Sequence, residues 1–417
     1  VTGGLGATER PLSIALIHYS APPVIGGVEQ VLARHAALMA DAGHAVRIIA
    51  GRGASRDGRI PFTAIPLLDP RDQTIARLQE SLDAGKVPED FAAVSDAIAT
   101  ELDAALAGVD VVVAHNVCSL NFNLALTAAL KRLADRPMGP RMILWHHDLA
   151  WASPTYRPKL HAGLPWDLLR DAWPGVVPVV VSEARRVDLA GLGAIPPAEI
   201  RVIPNGIDLA TVLKLDPDSA PFLNRTDVAD AWPLLLTPAR ILPRKNIELG
   251  LRVVAEMHRA GRPAGLIVTG PVDPHQSPDR SYLHGLRTLR RTLGLEGHVW
   301  FLSEELAAPP SDSTVSDLYR VADLLFLPSR DEGFGLPILE AAAARLPIVC
   351  TDLPSLRELA GDAALYVKPD DDPAEIARRV LERFEADDVG RLAREVRQKY
   401  AWETVFRDQI APLLAER

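Results

Sequence analysis

Short apolar runs bounded by Gly, Pro and charged clusters alternate with longer amphipathic stretches from residue 13 almost to the C-terminus. In the first half, strands are expected at 13–18, 45–50, 109–114, 142–145, 176–181 and 201–204. After the first of these, Val28, Val31, Leu32, His35, Ala36 and Met39 recur at helical spacing, and Gly43 marks where that helix stops. Residues 52–90 are rich in Pro, Gly and charge, and are expected to form an irregular excursion with one short helix. The alternation restarts with strands at 234–237, 266–269, 299–302, 324–327, 348–351 and 365–367. Such a pattern predicts an α/β fold of parallel sheets with helices on both faces, here two Rossmann-like, doubly wound domains. The Pro- and Asp-rich stretch 215–233 is the linker candidate. The terminal helix at 402–416 has no strand after it and must pack elsewhere.

A chain of 417 residues holds two or three domains, each able to bury a core. Apolar content of 48% and charged content of 24% are those of a soluble globular protein. The formal charge of −9 argues against a nucleic-acid partner and against a broadly basic membrane-docking face. Cys118 and Cys350 lie in or beside apolar runs, so they read as core thiols in a reducing cytoplasm, with no disulfide or metal pattern. No apolar run approaches the ~20 residues of a spanning helix. The first one, 12–19, is too short and strand-like for a signal sequence. Residues 1–6, with three glycines, are expected to be flexible.

Ligands of open parallel sheets collect beyond the C-terminal ends of strands. Gly26-Gly27 follow the first strand and open a helix start to a phosphate or sugar, or simply form a tight loop. His146-His147-Asp148 follow the strand at 142–145; a loop hydrogen bond, a metal pair and a substrate contact are all readings of the histidines, and no third metal ligand has suitable spacing. Arg240, Arg244 and Lys245 follow the strand at 234–237 and precede a helix at 247–260. They form either a solvated loop or an anion site, in which Arg supplies paired donors and Lys a mobile charge. Ser303-Glu304-Glu305 could border a nucleobase.

The segment from Ser329 to Glu340 is the densest in chemistry. It sets Glu332 and Glu340 around Gly333, Phe334, Gly335, Leu336 and Pro337, after an apolar strand and at the start of a helix expected from Ile338. Pro337 suits a first helical position, and Glu340 would then lie in the first turn. Such acids are commonly helix-start decoration, stabilising by a few tenths to ~1 kcal/mol. A glycosidase pair needs carboxyls roughly 5–9.5 Å apart, whereas the eight positions from 332 to 340 would advance about 12 Å in a helix. Glycines that admit a ligand, helix-start amides that favour phosphate and two hydroxyl-binding acids together suit a nucleotide-sugar.

Five motifs in order resemble the family-4 retaining glycosyltransferases of the GT-B architecture: Gly26-Gly27, His147-Asp148, Val202 through Asp208, Arg240 with Lys245, and Glu332 through Glu340. The resemblance runs from about residue 13 to the C-terminus. It implies two Rossmann-like domains facing a central cleft: an acceptor domain at 1–208, a donor domain at 209–398, and a helix at 399–417 crossing back. It implies hexosyl transfer from a nucleotide-diphosphate sugar, of UDP-glucose or GDP-mannose type, with retention and without a metal or other cofactor. Arg240 and Lys245 would grip the diphosphate, Glu332 the sugar hydroxyls, and Glu340 the ribose. Gly333, Phe334, Gly335 and Leu336 would line sugar and phosphates, Gly27 would approach the diphosphate or acceptor, and His147 would stand near the anomeric carbon. Gly26, Asp148, His115 and Asn116 would be on the acceptor side. Asn205-Gly206 would form a hinge. Trp151, Tyr156, His161 and Trp166 would shape an acceptor site, or else anchor their loop; a soluble acceptor is favoured over a lipid. A nucleotide-sugar 2-epimerase of the same architecture, or a catalytically weak nucleotide-sugar-binding protein, are the alternatives.

Overall fold

Strand β1, Ser13–Ser20, is apolar on both sides of its pleat: Ile14, Ala15, Leu16 and Ile17 are each fully buried. An alternating strand has one wet face, whereas a continuous apolar strand requires cover on both faces. The computed structural model, which describes residues 10–270, 281–306 and 308–416, supplies that cover with helices. The expected flexible start at 1–6 lies outside the described residues.

Contacts divide the chain into two units, Val1–Gly206 with Trp402–Arg417, and Ile207–Ala401. In the first, β1 is followed by β2 (Ala45–Arg52), β3 (Phe62–Ala64), β4 (Val111–His115), β5 (Arg141–His146), β6 (Val177–Val180) and β7 (Arg201–Val202). They form one parallel sheet in the order β3-β2-β1-β4-β5-β6-β7. One face is covered by the helix Gly27–Asp41 through Leu32 and Met39, and by the terminal residues Trp402, Val405, Phe406, Ile410 and Leu413. Helices Phe91–Ala105 and Leu124–Ala134 cover the other. The terminal stretch is helical with a π turn at Phe406–Ile410, ending two residues before Pro412, whose missing N–H cannot continue the α ladder. Arg141 donates to the Leu413 and Leu414 carbonyls at 2.9 and 3.2 Å, satisfying the helix end.

The second unit repeats the plan with β8 (Leu234–Thr237), β9 (Gly265–Val268), β10 (Val299–Phe301), β11 (Leu324–Leu327), β12 (Ile348–Thr351) and β13 (Ala364–Val367). Its parallel order is β10-β9-β8-β11-β12-β13, the doubly wound pattern of Rossmann-like sheets. Helices Ile247–Arg259 and Pro373–Glu385 pack Leu251, Val254, Ile376 and Val380 against one face. Trp300, Leu318, Ile338 and Leu356 belong to the core on the other. In each sheet the strand order reverses once, at β1/β4 and at β8/β11.

Three local expectations are corrected. Residues 52–90 are more ordered than their composition suggests, with β3 and an eleven-residue helix, Gln73–Asp83, capped by Asp72. Three buried leucine or isoleucine side chains, Ile75, Leu78 and Leu82, fix that helix. Pro337 is the second helical residue rather than the first, because the helix Leu336–Ala343 begins directly after Gly335. Glu340 therefore belongs to the second turn. Gly206 does not adopt positive φ; instead a Cβ there would lie 2.5 Å from the Trp402 ring, so close packing is what requires glycine.

Candidate active site

At the β8/β11 reversal, two loops converge. The loop after β8 carries Arg240, Arg244 and Lys245; the loop after β11 carries Ser329 through Gly335. Arg330 N–H donates to the Arg244 carbonyl at 2.7 Å, and Arg244 Nη1 to the Asp331 carbonyl at 3.1 Å. Asn246, at φ 52°, uses its side-chain amide to bridge the Pro328 and Pro369 carbonyls at 3.1 and 3.0 Å. The loops are thus sewn together by bonds to backbone groups.

Within that frame Lys245 Nζ donates to Glu332 Oε1, and Ser329 Oγ donates to the same oxygen at 2.8 Å. Arg244 Nη1 stands 3.8 Å from Glu332 Oε2. The Lys245 and Glu332 side chains are only 12% and 10% exposed, so each charge has lost most of its water and depends on the other. Arg240 is exposed beside them in the chain, where its backbone passes so close to Gly270 that a Cβ there would sit 2.4 Å from the Arg240 Cα.

The helix after β11 is capped by Gly335, which has φ 102° and a would-be Cβ 2.5 Å from Leu356 Cδ2; both facts require glycine. Phe334 and Leu336 flank it with exposed apolar side chains. Glu340, one turn on, accepts a hydrogen bond at Oε2 from the buried Tyr319 hydroxyl at 2.5 Å. Burial, reinforced by that carboxylate, pushes the Tyr319 phenol well above its ordinary value, so it stays a donor. At the start of the helix Ile247–Arg259, the Ile247 N–H donates to Tyr282 Oη at 3.3 Å, and Tyr282 donates to Glu248. Tyr282 thus takes up one N–H of that helix start. In Ser303-Glu304-Glu305, Glu304 pairs with Arg287 and Arg290, and Glu305 with Arg225.

The β1/β4 reversal of the other unit assembles the second group of residues. Asn116, at φ 60°, accepts at Oδ1 from the His147 N–H (2.9 Å) and the Asp148 N–H (3.0 Å), and donates to Asp148 Oδ2 at 3.3 Å. His147 Nε2 lies 3.3 Å from His115 Nδ1. His18 Nδ1 bonds the His115 carbonyl at 2.7 Å, and the His35 ring is centred 5.2 Å from that of His115. Burial holds His35 and His147 down to about 3 and His146 to about 4; burial also lowers His18 and His115. At neutral pH these rings are uncharged, which suits His147 to hydrogen bonding rather than to acid catalysis.

A pocket of about 380 Å³ opens there, lined among others by His18, Gly27, Glu29, Asn116, Asp148 and Tyr156. Gly26 caps the helix Gly27–Asp41; a Cβ on it would strike the Glu29 carboxylate, while Gly27 is open. Of the four aromatic residues expected to shape this region, three anchor the loop. Trp151 donates to the Trp166 carbonyl at 3.0 Å and lies beneath Arg157 and Arg170, and His161 bonds the Asp83 carbonyl at 3.2 Å. Tyr156 alone of the four lines the pocket.

Sequence reasoning missed Tyr319, Tyr282, Ser329 as the Glu332 holder, and His18. Only His18 carried a usable signal, a polar residue at the end of an apolar strand. Among the described residues no group of three His, Cys, Asp or Glu is placed to hold a metal ion, and no helix is long and apolar enough to cross a membrane.

A family model described as glycosyltransferase family 4 matches residues 25–211, and one described as glycosyl transferases group 1 matches residues 224–401. The D-inositol 3-phosphate glycosyltransferase of Kineococcus radiotolerans is 33% identical over 184 residues, 43% of this chain and 40% of that protein. The mannosylglucosylglycerate synthase of Thermotoga maritima is 25% identical over 81% of this chain and 80% of its own length. The first alignment thus spans under half of the relative's length. Among solved structures, Anabaena HepE in complex with UDP-glucose is 18% identical, with 97% and 99% of the two chains covered and a TM-score of 0.35. With consecutive family matches on its two Rossmann-like units, the chain belongs to the family-4 glycosyltransferases of the GT-B architecture.

Proposed function

We propose that the protein is a retaining hexosyltransferase. It moves a hexose from a nucleotide-diphosphate sugar, of UDP-glucose or GDP-mannose type, to a hydroxyl of a small acceptor, without a metal ion. The observation that carries this reading is the Lys245–Glu332 pair, poorly solvated and held by Ser329 at a strand-order reversal. A donor satisfies both partners at once. Its diphosphate replaces Glu332 as the counter-charge of Lys245, with Arg240 adding a second cation. Its sugar hydroxyls donate to the released Glu332. Glu340, one oxygen held by Tyr319, accepts the ribose hydroxyls, and the backbone N–H groups of 333–336 face the phosphates.

In the chemical step the bond from the sugar C1 to the diphosphate oxygen breaks, and the acceptor oxygen bonds C1 on the same face. The acceptor proton passes to the departing phosphate oxygen. The transition state is oxocarbenium-like, so catalysis consists of charge stabilisation and positioning. The relatives' names contain inositol 3-phosphate in one case and glycerate in the other, which supports a small polyhydroxy acceptor.

Proton NMR of the product linkage tests the reading. An α-linked donor should give an α-linked product at a rate unchanged by EDTA. A β-linked product, or a rate abolished by EDTA and restored by Mg²⁺, would reject the retaining, metal-independent mechanism. Epimerised nucleotide-sugar formed without acceptor would assign the chain to epimerisation instead.

A further inference from the structure

The pocket at the β1/β4 reversal has walls of three kinds. Phe122 and Tyr156 meet edge to face at 5.6 Å, giving an aromatic wall. Glu29 and Asp148 are hydroxyl acceptors that already take bonds from Ser20 Oγ (2.6 Å) and Asn116 Nδ2 (3.3 Å). Arg52 and Arg71 are cations. Arg52 is neutralised by Asp69, with Nε 2.7 Å from Oδ2. Arg71 is not: its N–H donates to Asp69 Oδ1 at 2.9 Å, which fixes its backbone, but its exposed guanidinium meets no carboxylate among the described residues.

One glycine allows this placement: a Cβ on Gly51 would lie 2.2 Å from the Asp69 nitrogen. The segment bearing Asp69 and Arg71 therefore seats directly on the end of β2, which brings an unneutralised guanidinium to the pocket. An uncommitted arginine on a polar pocket presents a planar fork of donors matched to a phosphate or a carboxylate.

We propose that this pocket takes an acceptor with a ring-polyol body and one anionic substituent, phosphate or carboxylate, and that Arg71 binds the anion. The inference rests on the reading of this unit as the acceptor-binding one. Phe122 and Tyr156 take the apolar face of the ring, Glu29 and Asp148 accept its hydroxyls, and the anion goes to Arg71 because the neighbouring Arg52–Asp69 pair carries no net charge.

Isothermal titration calorimetry on the full chain tests it with probes that differ only in the anion. These are myo-inositol against its monophosphate, glucose against glucose 6-phosphate, and glucose against glucuronate, which separates phosphate from carboxylate. The wild type should bind at least one anionic member tenfold or more tightly than its neutral partner. Arg71→Gln should abolish that preference, Arg71→Lys should keep part of it, and both variants should bind UDP or GDP as the wild type does. No preference for any anionic probe in the wild type, or a preference retained in Arg71→Gln, would overturn the proposal. Acceptor binding is read without turnover, so a chain that fails to bind nucleotide would count against the transferase reading and leave this result separately legible.

Discussion

Lys245 Nζ and Glu332 Oε1, 87 residues apart in the chain, form an ion pair that is nearly closed to solvent. Neither charge is comfortable without the other, so the site is electrostatically primed for a ligand that carries both anionic phosphates and hydroxyl donors. Lys245→Ala should lower turnover by at least ~100-fold, the scale of losing one charge-stabilising donor. It should also lower stability by roughly 1–3 kcal/mol, since Glu332 is left poorly solvated. Steady-state kinetics with denaturant unfolding checks both; near-normal turnover would count against a diphosphate at Lys245.

The bond from Tyr319 to Glu340 predicts a milder and more selective effect. Tyr319→Phe should raise KM for the nucleotide-sugar about fivefold, equivalent to roughly 1 kcal/mol for one lost hydrogen bond, with kcat little changed. Glu340→Gln should raise it further. Equal losses in kcat and KM for Tyr319→Phe would mean that it supports the fold of the site rather than the ribose acid.

Gly333 and Gly335 separate steric need from ligand access. Gly335→Ala places a Cβ against Leu356 at a positive φ, and the conformational part alone costs about 1–2 kcal/mol. Gly333→Ala meets nothing within 4 Å. The first should lower the melting temperature and the second should leave it unchanged while weakening donor binding.

Acid sensitivity should come from the histidine row. His35 is held at about 3 by burial, with His147 adding a smaller repulsion, against 6.5 when unfolded. Between those values the unfolded chain binds a proton that the native chain refuses, so stability is lost as pH falls below 6.5. Over the pH 7 to 5 range the loss is on the order of 2 kcal/mol for each such histidine. Both His35 ring nitrogens lack hydrogen-bond partners among the described residues, so His35→Leu removes a titrating group without breaking a bond. The stability difference between pH 7 and 5 should narrow in that variant by about 2 kcal/mol, the share of one such histidine, while His146 and His147 keep theirs. An unchanged difference would place the acid sensitivity elsewhere. Since His147 also stays neutral, the pH–rate profile should show no inflection near 6.5 from it.

The sheets were legible because buried parallel strands are continuous apolar runs, and runs such as 13–17 and 324–327 have few other readings. β3 was missed because three partly exposed residues, Phe62–Ala64, carry too little pattern to stand out from a Pro- and Gly-rich segment. The site was legible at strand ends, where rule and residue type agree: Lys245, Glu332, His147 and Asp148 all follow strands. What joins them was not. Tyr319 lies on the helix Asp312–Val321, where an aromatic at helical spacing reads as core, and only the fold turns its hydroxyl to Glu340. The His115–His147 contact and the Asn116 clamp likewise join loops 31 or 32 residues apart, a relation that no local pattern encodes.

The most direct test is a thermal-shift series with UDP, GDP and their hexose conjugates on the wild type, Lys245→Ala and Glu340→Gln. A ligand at about 100 times its Kd stabilises by roughly 2.7 kcal/mol, which for a unit of this size is about 5–10 °C. The account predicts such a shift with one nucleotide base in the wild type and a clearly smaller one in both variants. No shift with any nucleoside diphosphate or nucleotide-sugar, or an equal shift in the variants, would contradict it.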